Sequence, residues 1–491
     1  MKRLLAGLAA IGVALLPVSC TSSTSGQPGA LPSGQPPSSH PASSRPNVVV
    51  VLTDDLSWNL VSHMPHVQAL QKAGMTMSNH YVIDSLCCPS RSAIFTGEYP
   101  HDDGVFTNSG SDGGYNAYNS NGNEPKSFAL ALQQAGYRTG FMGKYLNGYQ
   151  PTDKVPPGWN EWDVTGNGYP EFNYTLNENG KQQHYGKDPK SYLTDVVSQK
   201  GGSFIDSAAT SGQPFMLEVA TFAPHGPYTP PPRYANPVKN VPYPKTSAYD
   251  VLPSNPPSWL KGRPPLTPKQ QSQIAKAYSK RVAADLAVDD MIGHLEQELK
   301  AKGVAQNTYI VFSSDNGYHM GEYRLMPGKQ TAFDTDTHLP LIVSGPGVPA
   351  GRSTNQLTSS IDLAPTFESL TGAATGANVD GVSLAGLLHG QAPTDWQQAV
   401  LIEHHGPNNA NGDPDRQNAK KANPPSYEAV RTATALYVRY ANGEQEYYDT
   451  AHDPQELHNL VAKGVPPALT KALTALEHCH DAKACQAAAR L

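Results

Sequence analysis

Charged residues are scarce in this chain. Asp, Glu, Lys and Arg together make up 16% of 491 residues, and the formal net charge is only −6. No long basic run occurs. That argues against a nucleic-acid partner, because a phosphate backbone calls for a concentrated cationic footprint. Beyond the first twenty residues no apolar run approaches the roughly 20 residues needed to span a bilayer. No Cys or His cluster has zinc-ligand spacing, and no internal repeat is visible. What is abundant is Gly and Pro, 43 and 44 residues, the composition of a loop-rich exported chain. The length suits one large domain with an appendage, or two domains.

The N-terminus carries an export pattern. Lys2 and Arg3 precede an apolar run from Leu4 to Leu16, and polar residues follow at once. A charged start and a short apolar stretch read as a signal peptide over residues 1–19. The stretch ends in Leu16-Pro17-Val18-Ser19-Cys20, which resembles a bacterial lipoprotein cleavage box except at Pro17. Lipidation of Cys20 at the cell surface and ordinary cleavage with secretion are both compatible with it. Residues 20–45 are Ser, Thr, Gly, Pro and Gln with almost nothing apolar. They cannot bury enough surface to fold and form a tether.

Periodicity then points to an α/β fold. Pro46 to Leu52 is a continuous β-branched run, the pattern of a parallel strand buried on both faces. Similar runs cover Thr139 to Met142, Phe215 to Phe222 and Thr308 to Phe312. Each ends in polar, potentially reactive residues: Asp54-Asp55, Gly143-Lys144, His225, and Asp315-Asn316. Ligands of open α/β sheets bind beyond the carboxyl ends of the strands. Gln271 to Lys300 has helical spacing. The expectation is a large, mostly parallel sheet between helices over residues 46–390. A smaller antiparallel α+β subdomain would occupy 391–491, with a hairpin over Tyr427–Asp449 around Asn442-Gly443 and a helix over Pro466–Cys479.

The cysteines are few and unevenly placed. Five are present. Cys20 belongs to the export signal, and Cys479 and Cys485 are close enough to close a small disulfide loop in an exported chain. Cys87 and Cys88 remain without an obvious partner, and an unpaired cysteine outside the cytoplasm needs a reason. Pro89 suits the first turn of a helix, which would put Cys87 at a helix N-terminus where free amides favour an anion. Arg91 follows one turn later with fixed donors. Two adjacent cysteines could equally pack in a core. Asp54, Asp55, Asp315 and Asn316 supply four oxygen donors from two strand ends, the ligand type that calcium or magnesium selects. Such a pair of acids can also be no more than a helix cap.

Cys87-x-Pro89-Ser90-Arg91 followed by Thr96-Gly97 resembles the signature of type I sulfatases, of the alkaline-phosphatase-like superfamily. The resemblance implies that Cys87 is oxidised to formylglycine by a dedicated formylglycine-generating enzyme, with Pro89 and Arg91 as its recognition positions. The hydrated aldehyde would attack sulfur and expel the alcohol; its second hydroxyl would then release sulfate. It also implies that Asp54, Asp55, Asp315 and Asn316 bind one divalent cation, usually calcium. Ala223-Pro224-His225-Gly226-Pro227 resembles the family's histidine loop. Gly143-Lys144 and Lys329 resemble its two lysine positions, whose charges bind sulfate oxygens. The chain departs from the family pattern after Lys144, where Tyr145-Leu146-Asn147 stands in place of a segment with a histidine. His319 is a candidate substitute. Glu98 is read as structural support.

The wording CCPSR…TGEYPHDDGV, GKYLNGY and SDNGYHMGE is most similar to the N-acetylglucosamine-6-sulfatase branch. It covers roughly residues 46–380, with family-like tail residues at Tyr447-Tyr448-Asp449 and Asp453-Pro454. The implied substrate is a sulfated sugar of glycosaminoglycan type, or an aryl sulfate. The loop Asn108 to Asn123 could line a sugar site or be a surface loop. Two other functions are consistent with parts of the pattern. One is a phosphodiester or phosphonate hydrolase of the same superfamily. The other is a non-catalytic lipoprotein that binds sulfated glycan.

Overall fold

Strand β1 (Asn47–Thr53) is buried along its whole length. Its side chains alternate between two apolar layers. Val48, Val50 and Leu52 join one core cluster and Val49 and Val51 the other, as the two-residue period of a strand requires. Each valine removed from water contributes about 1.5–3 kcal/mol. A β-branched run of this kind is therefore stable only at the centre of a sheet covered on both sides. The computed structural model describes residues 45–491 apart from 375, 377, 392, 409, 410, 412 and 419. The expected signal segment, Cys20 and all of the tether except Arg45 lie outside the described residues.

The main sheet contains β1, β2 (Met75–Tyr81), β3 (Arg138–Lys144), β4 (Glu161–Thr165), β5 (Tyr174–Glu178), β6 (Lys181–Tyr185), β7 (Phe215–Ala220), β8 (Thr308–Ser314), β9 (His338–Ser344) and β10 (Arg352–Ser359). Their spatial order is β10-β2-β9-β8-β1-β7-β3-β4-β5-β6. The centre, β8-β1-β7-β3-β4, is parallel throughout. Antiparallel pairing is confined to the flanks at β2-β9, β9-β8, β4-β5 and β5-β6. The carboxyl ends of β1, β3, β7 and β8 therefore open onto the same edge.

Helices cover both faces. Leu193–Ser211 and Pro268–Ala301 supply Ile205, Val288 and Leu295 to one core cluster. The longer helix starts at a capping box in which Thr267 and Gln270 satisfy each other's backbone amides, which stops the first turn from fraying. Cys87–Thr96, Phe128–Gln134 and Leu363–Thr371 bring Phe95, Phe128 and Phe367 to the opposite cluster.

The C-terminal part has its own antiparallel sheet, β11 (Ala399–His404), β12 (Tyr427–Thr432), β13 (Ala435–Tyr440) and β14 (Gln445–Asp449), in that order. The single hairpin expected over Tyr427–Asp449 is in fact three strands. Asn442-Gly443 turns only β13 into β14. The earlier turn, at Ala433-Thr434, has none of the Gly, Asn or Asp chemistry that marks a turn in sequence. A helix spans Pro467–Leu476, shorter than the expected Pro466–Cys479, and Cys479 lies beyond it in a disulfide with Cys485. One core cluster joins Ile83, Ala93 and Tyr99 to Leu401, Val430 and Leu473. The second sheet thus packs on the helix that begins at Cys87, across the expected boundary at residue 391. Among the described residues, no helix is long and apolar enough to cross a membrane.

Candidate active site

The site begins where β1 and β8 run out. Asp315 N donates to Thr53 O at 3.0 Å, Asp55 N donates to Asp315 Oδ1 at 3.2 Å, and Leu56 N donates to Ser314 Oγ at 3.0 Å. The two strand ends are clamped to each other just where both turn acidic. Asp55 has φ +67°, a left-handed conformation that aspartate tolerates better than most residues and that costs energy unless its surroundings hold it. Asn316 Nδ2 donates to Asp55 Oδ1 at 2.6 Å. Asp54, Asp55, Asp315 and Asn316 are all buried.

Cys87 opens the helix Cys87–Thr96, with Leu86 extended before it and Pro89 in the first turn. The helix stops at Gly97, whose φ of +73° lets its N–H reach back to Ala93 O at 2.8 Å. The Cys87 thiol is fully buried. It donates to Asp54 Oδ1 at 3.1 Å, accepts from Lys329 Nζ at 2.7 Å, and lies 3.5 Å from Asp415 Oδ2. Burial, and then the carboxylates of Asp315, Asp415 and Asp54, push this thiol well above its ordinary range.

Arg91 reaches Asp315 rather than open space. Its Nε donates to Asp315 Oδ2 at 2.7 Å and its Nη1 to Lys144 O at 2.8 Å. Burial opposes ionisation of Asp315, but Arg91, Lys144 and Lys329 outweigh it and hold the carboxyl at about 2. Ser90 Oγ donates to Asp315 O at 2.5 Å. The Ser90-Arg91 pair therefore fixes one acid of the quartet from the helix.

Lys144, Lys329 and His225 converge on the same point. Gly143, at φ +102°, precedes Lys144, and a Cβ there would be 1.9 Å from Ala220 O. Only glycine lets β3 pass β7 so closely while delivering the lysine. Lys144 Nζ pairs with Asp54 and lies 5.2 Å from the Tyr169 ring centroid. Lys329 is fully buried, with Nζ 2.7 Å from Asp55 Oδ1 and 3.0 Å from Asp415 Oδ1. His225 Nδ1 donates to Gly226 O at 2.7 Å, which leaves Nε2 to face Asp415 Oδ1 at 2.7 Å and Asp55 Oδ2 at 3.7 Å. Burial lowers the affinity of His225 for its second proton, but Asp55, Asp54 and Asp415 together raise it to about 9.

The nine residues expected to be catalytic or metal-binding, Asp54, Asp55, Cys87, Arg91, Lys144, His225, Asp315, Asn316 and Lys329, thus lie in one linked cluster. His319 does not join it. Its Nδ1 is 3.0 Å from Asp336 and its Nε2 2.9 Å from Lys421 O, so both ring nitrogens serve the fold. Glu98 is held by Lys126 at 2.7 Å. The loop Asn108 to Asn123 divides: Tyr115 and Tyr118 enter the core, and Asn108 reaches the site.

Sequence reasoning missed Asp415 and Tyr169, and it named Asn108 only as the start of a loop that could line a sugar site. Asp415 comes from the C-terminal part. Asn108 Nδ2 donates to Asp415 Oδ2 at 2.8 Å, and Asn108 Oδ1 accepts from Cys88 N at 3.0 Å. The Tyr169 ring is 4.6 Å from that of His225. The only signal for Asp415 was Asp413-Pro414-Asp415, an acidic turn with no motif around it.

Chemically the cluster offers a hard-cation pocket beside an anion seat. Asp54, Asp55, Cys87 and His225 bring ligand atoms within 4.8 Å of one another, and Asp315 and Asn316 add oxygens from β8. Clustered carboxylates with a carboxamide suit a divalent, oxygen-loving ion. Lys329 Nζ lies 2.7 Å from both Cys87 Sγ and Asp55 Oδ1, and His225 joins the same group of ligand atoms, so cationic donors that suit a tetrahedral anion stand against the carboxylates themselves.

The family model described as Sulfatase matches residues 46–373. A second, described as N-sulphoglucosamine sulphohydrolase, C-terminal, matches residues 321–480. The N-acetylglucosamine-6-sulfatase of Homo sapiens is 33% identical, over 87% of this chain and 82% of that protein. A solved structure described as a complex with its substrate D-glucosamine-2-N,6-O-disulfate superposes with a TM-score of 0.71 at 23% identity, covering 88% of this chain and 97% of the other. The phosphonate monoester hydrolase of Agrobacterium radiobacter gives a TM-score of 0.65 at 21% identity, covering 86% and 92%. At such identities the two structures speak for the fold alone.

Proposed function

This chain belongs to the sulfatase family and is a sulfuric ester hydrolase, and from that premise we propose that it removes sulfate from a sugar of the N-acetylglucosamine-6-sulfate type, using a formylglycine made from Cys87. The observation that carries the reading is the position of Cys87. It stands at a helix N-terminus, 3.1 Å from Asp54 and 2.7 Å from Lys329, between a cation pocket and an anion seat. The names of the human and goat relatives support the sugar.

Asp54, Asp55, Asp315 and Asn316 would hold one divalent cation, calcium before magnesium, and the burial of three carboxylates beside a carboxamide fits such an ion. When bound, it supplies Lewis-acid polarisation of the ester oxygens. The hydrated formylglycine would supply a hydroxyl nucleophile at this position. Lys144 and Lys329 hold sulfate oxygens. His225, oriented by Gly226 O, holds a proton at Nε2 for the leaving oxygen. Arg91 is a positioning residue acting through Asp315.

The remaining parts follow the same reading. Residues 1–19 direct export, with Cys20 as the lipidation point and residues 20–45 as the tether of a cell-surface or secreted enzyme. Relatives described as extracellular sulfatases support export. Residues 46–390 form the catalytic domain, and 391–491 a subdomain that contributes Asp415. The partner during maturation is a formylglycine-generating enzyme.

Mass spectrometry of the peptide containing Cys87 tests this directly, because formylglycine is lighter than cysteine. Parallel assays on aryl sulfate and aryl phosphate, with Cys87→Ala as control, complete the test. An intact thiol in the active protein, or a preference for the phosphate, would sink the proposal.

A further inference from the structure

Outside the Cys87 cluster, one further group of histidine and carboxylate side chains converges among the described residues: His101, Asp102 and His480. Each can offer one ligand atom, and the three atoms lie within 4.8 Å of one another. His101 and Asp102 come from the short helix Pro100–Asp103. His480 comes from the C-terminal tail, inside the loop that the Cys479–Cys485 disulfide closes. Its Nδ1 is 2.5 Å from Asp102 Oδ1, and the other Asp102 oxygen is 4.0 Å from His101 Nε2. One carboxylate thus stands between two imidazoles, although Asp102 and His480 are 378 positions apart.

A simple hydrogen bond between Asp102 and His480 would not require His101 to be oriented as it is. His101 Nδ1 donates to Glu403 Oε2 at 2.9 Å. Glu403 is itself buried on β11, where its N–H donates to Ile83 O at 2.8 Å. A carboxylate on the far ring nitrogen is what fixes a metal-bound histidine and makes its near nitrogen more basic. That near nitrogen, Nε2, also has Cys479 O at 2.8 Å, so a backbone oxygen stands beside it. Access differs across the group. The side chains of His101 and Asp102 are 13% and 18% exposed, and that of His480 is 68% exposed. A held half and an open half give an ion a way in.

Two imidazole nitrogens and a carboxylate are donors that zinc takes, whereas calcium asks for roughly six to eight oxygens. We propose that His101, Asp102 and His480 form a zinc site, with the remaining position left to Cys479 O or water, and that the ion fastens the disulfide-closed tail to the segment following the Cys87 helix. Binding takes the place of the proton that each near nitrogen shares with an oxygen in the ion-free protein, while His101 Nδ1 keeps its own for Glu403. The site shares no residue with the catalytic cluster, so its failure leaves the sulfatase reading intact.

Titration calorimetry of the untagged, full-length protein with zinc chloride tests it, in excess calcium so that the oxygen quartet is filled. Zinc should bind saturably at one ion per chain. His480→Ala, at an exposed position, and Asp102→Asn should each weaken it by about tenfold or more. Cys87→Ala should leave the titration unchanged, because Cys87 belongs to the other ion-binding group. Zinc should raise the melting temperature of the parent and not that of His480→Ala, since an ion held only by the folded state stabilises it. Absence of saturable binding overturns the proposal. So does equal zinc affinity in the parent, His480→Ala and Asp102→Asn, which would leave a hydrogen bond only between Asp102 and His480. Loss of zinc binding in Cys87→Ala would put the ion in the catalytic cluster and overturn the proposal as well.

Discussion

The carboxylate of Asp415 lies 2.7 Å from His225 Nε2, and the same oxygen is 3.0 Å from Lys329 Nζ. A group from the C-terminal part thus neutralises the two cations that face Cys87. Burial opposes its ionisation, but Lys329, His225 and Lys144 hold Asp415 well below the usual carboxylate range. It is an anion held against the two basic residues proposed to meet the substrate.

Asp415→Asn should therefore strengthen binding of inorganic sulfate. Unit charges a few ångströms apart interact by about 4 kcal/mol at an effective dielectric of 20. A tenfold gain, about 1.4 kcal/mol, is a modest expectation. The inhibition constant of sulfate against aryl sulfate hydrolysis measures it. Weaker sulfate binding would instead make Asp415 an orienting group for His225.

Metal dependence follows from the acidic quartet. Chelation should abolish aryl sulfate hydrolysis and lower the melting temperature, since an ion bound only by the folded state stabilises it. Added calcium should restore both. Asp315→Asn should raise the calcium concentration needed for half-maximal activity at least tenfold. Activity unaffected by exhaustive chelation would remove the metal assignment.

Arg91 and Asp315 are both fully buried and 2.7 Å apart. Arg91→Lys keeps the charge but loses the fork that spans Asp315 and Lys144 O. Breaking a buried pair of this kind costs about 3–5 kcal/mol when one partner is lost, and Lys should cost about half as much. Denaturant unfolding should show a lower midpoint at unchanged slope. An unchanged midpoint would show that the fork contributes nothing.

His101 ties the disulfide loop to the second sheet. Its Nδ1 is 2.9 Å from Glu403 and its Nε2 2.8 Å from Cys479 O. Burial lowers its pKa, but Glu403 and the Cys479 carbonyl outweigh that and raise it to about 9, above the ordinary 6.5. A raised value means the imidazolium is favoured in the folded state. Its stabilisation is fully present below about pH 6.5 and is lost as pH rises through about 9. The melting-temperature gap between the unsubstituted protein and His101→Gln should therefore be widest near pH 6 and shrink by pH 9.5. A gap that widens with pH would contradict this ionisation.

The strand ends were legible because burial on both faces favours short, largely apolar runs, and Asp54-Asp55, Lys144, His225 and Asp315-Asn316 each lie at or just beyond the end of one. The three-stranded form of the C-terminal meander was hidden, because the Ala433-Thr434 turn is held by its neighbours and not by turn residues. His319 looked available in sequence only because nothing there reveals that Asp336 and the Lys421 carbonyl claim both of its nitrogens.

Local chemistry alone therefore determined the α/β class, the family, the cysteine at a helix start and the acids around it, since each depends on residues adjacent in the chain or on a repeating period. The tertiary fold decided what Asp415, Asn108 and Tyr169 do. Asn108 and Asp415 are 307 positions apart, and no local period connects them. Only the packing of the second sheet onto the Cys87 helix brings that carboxylate to the histidine.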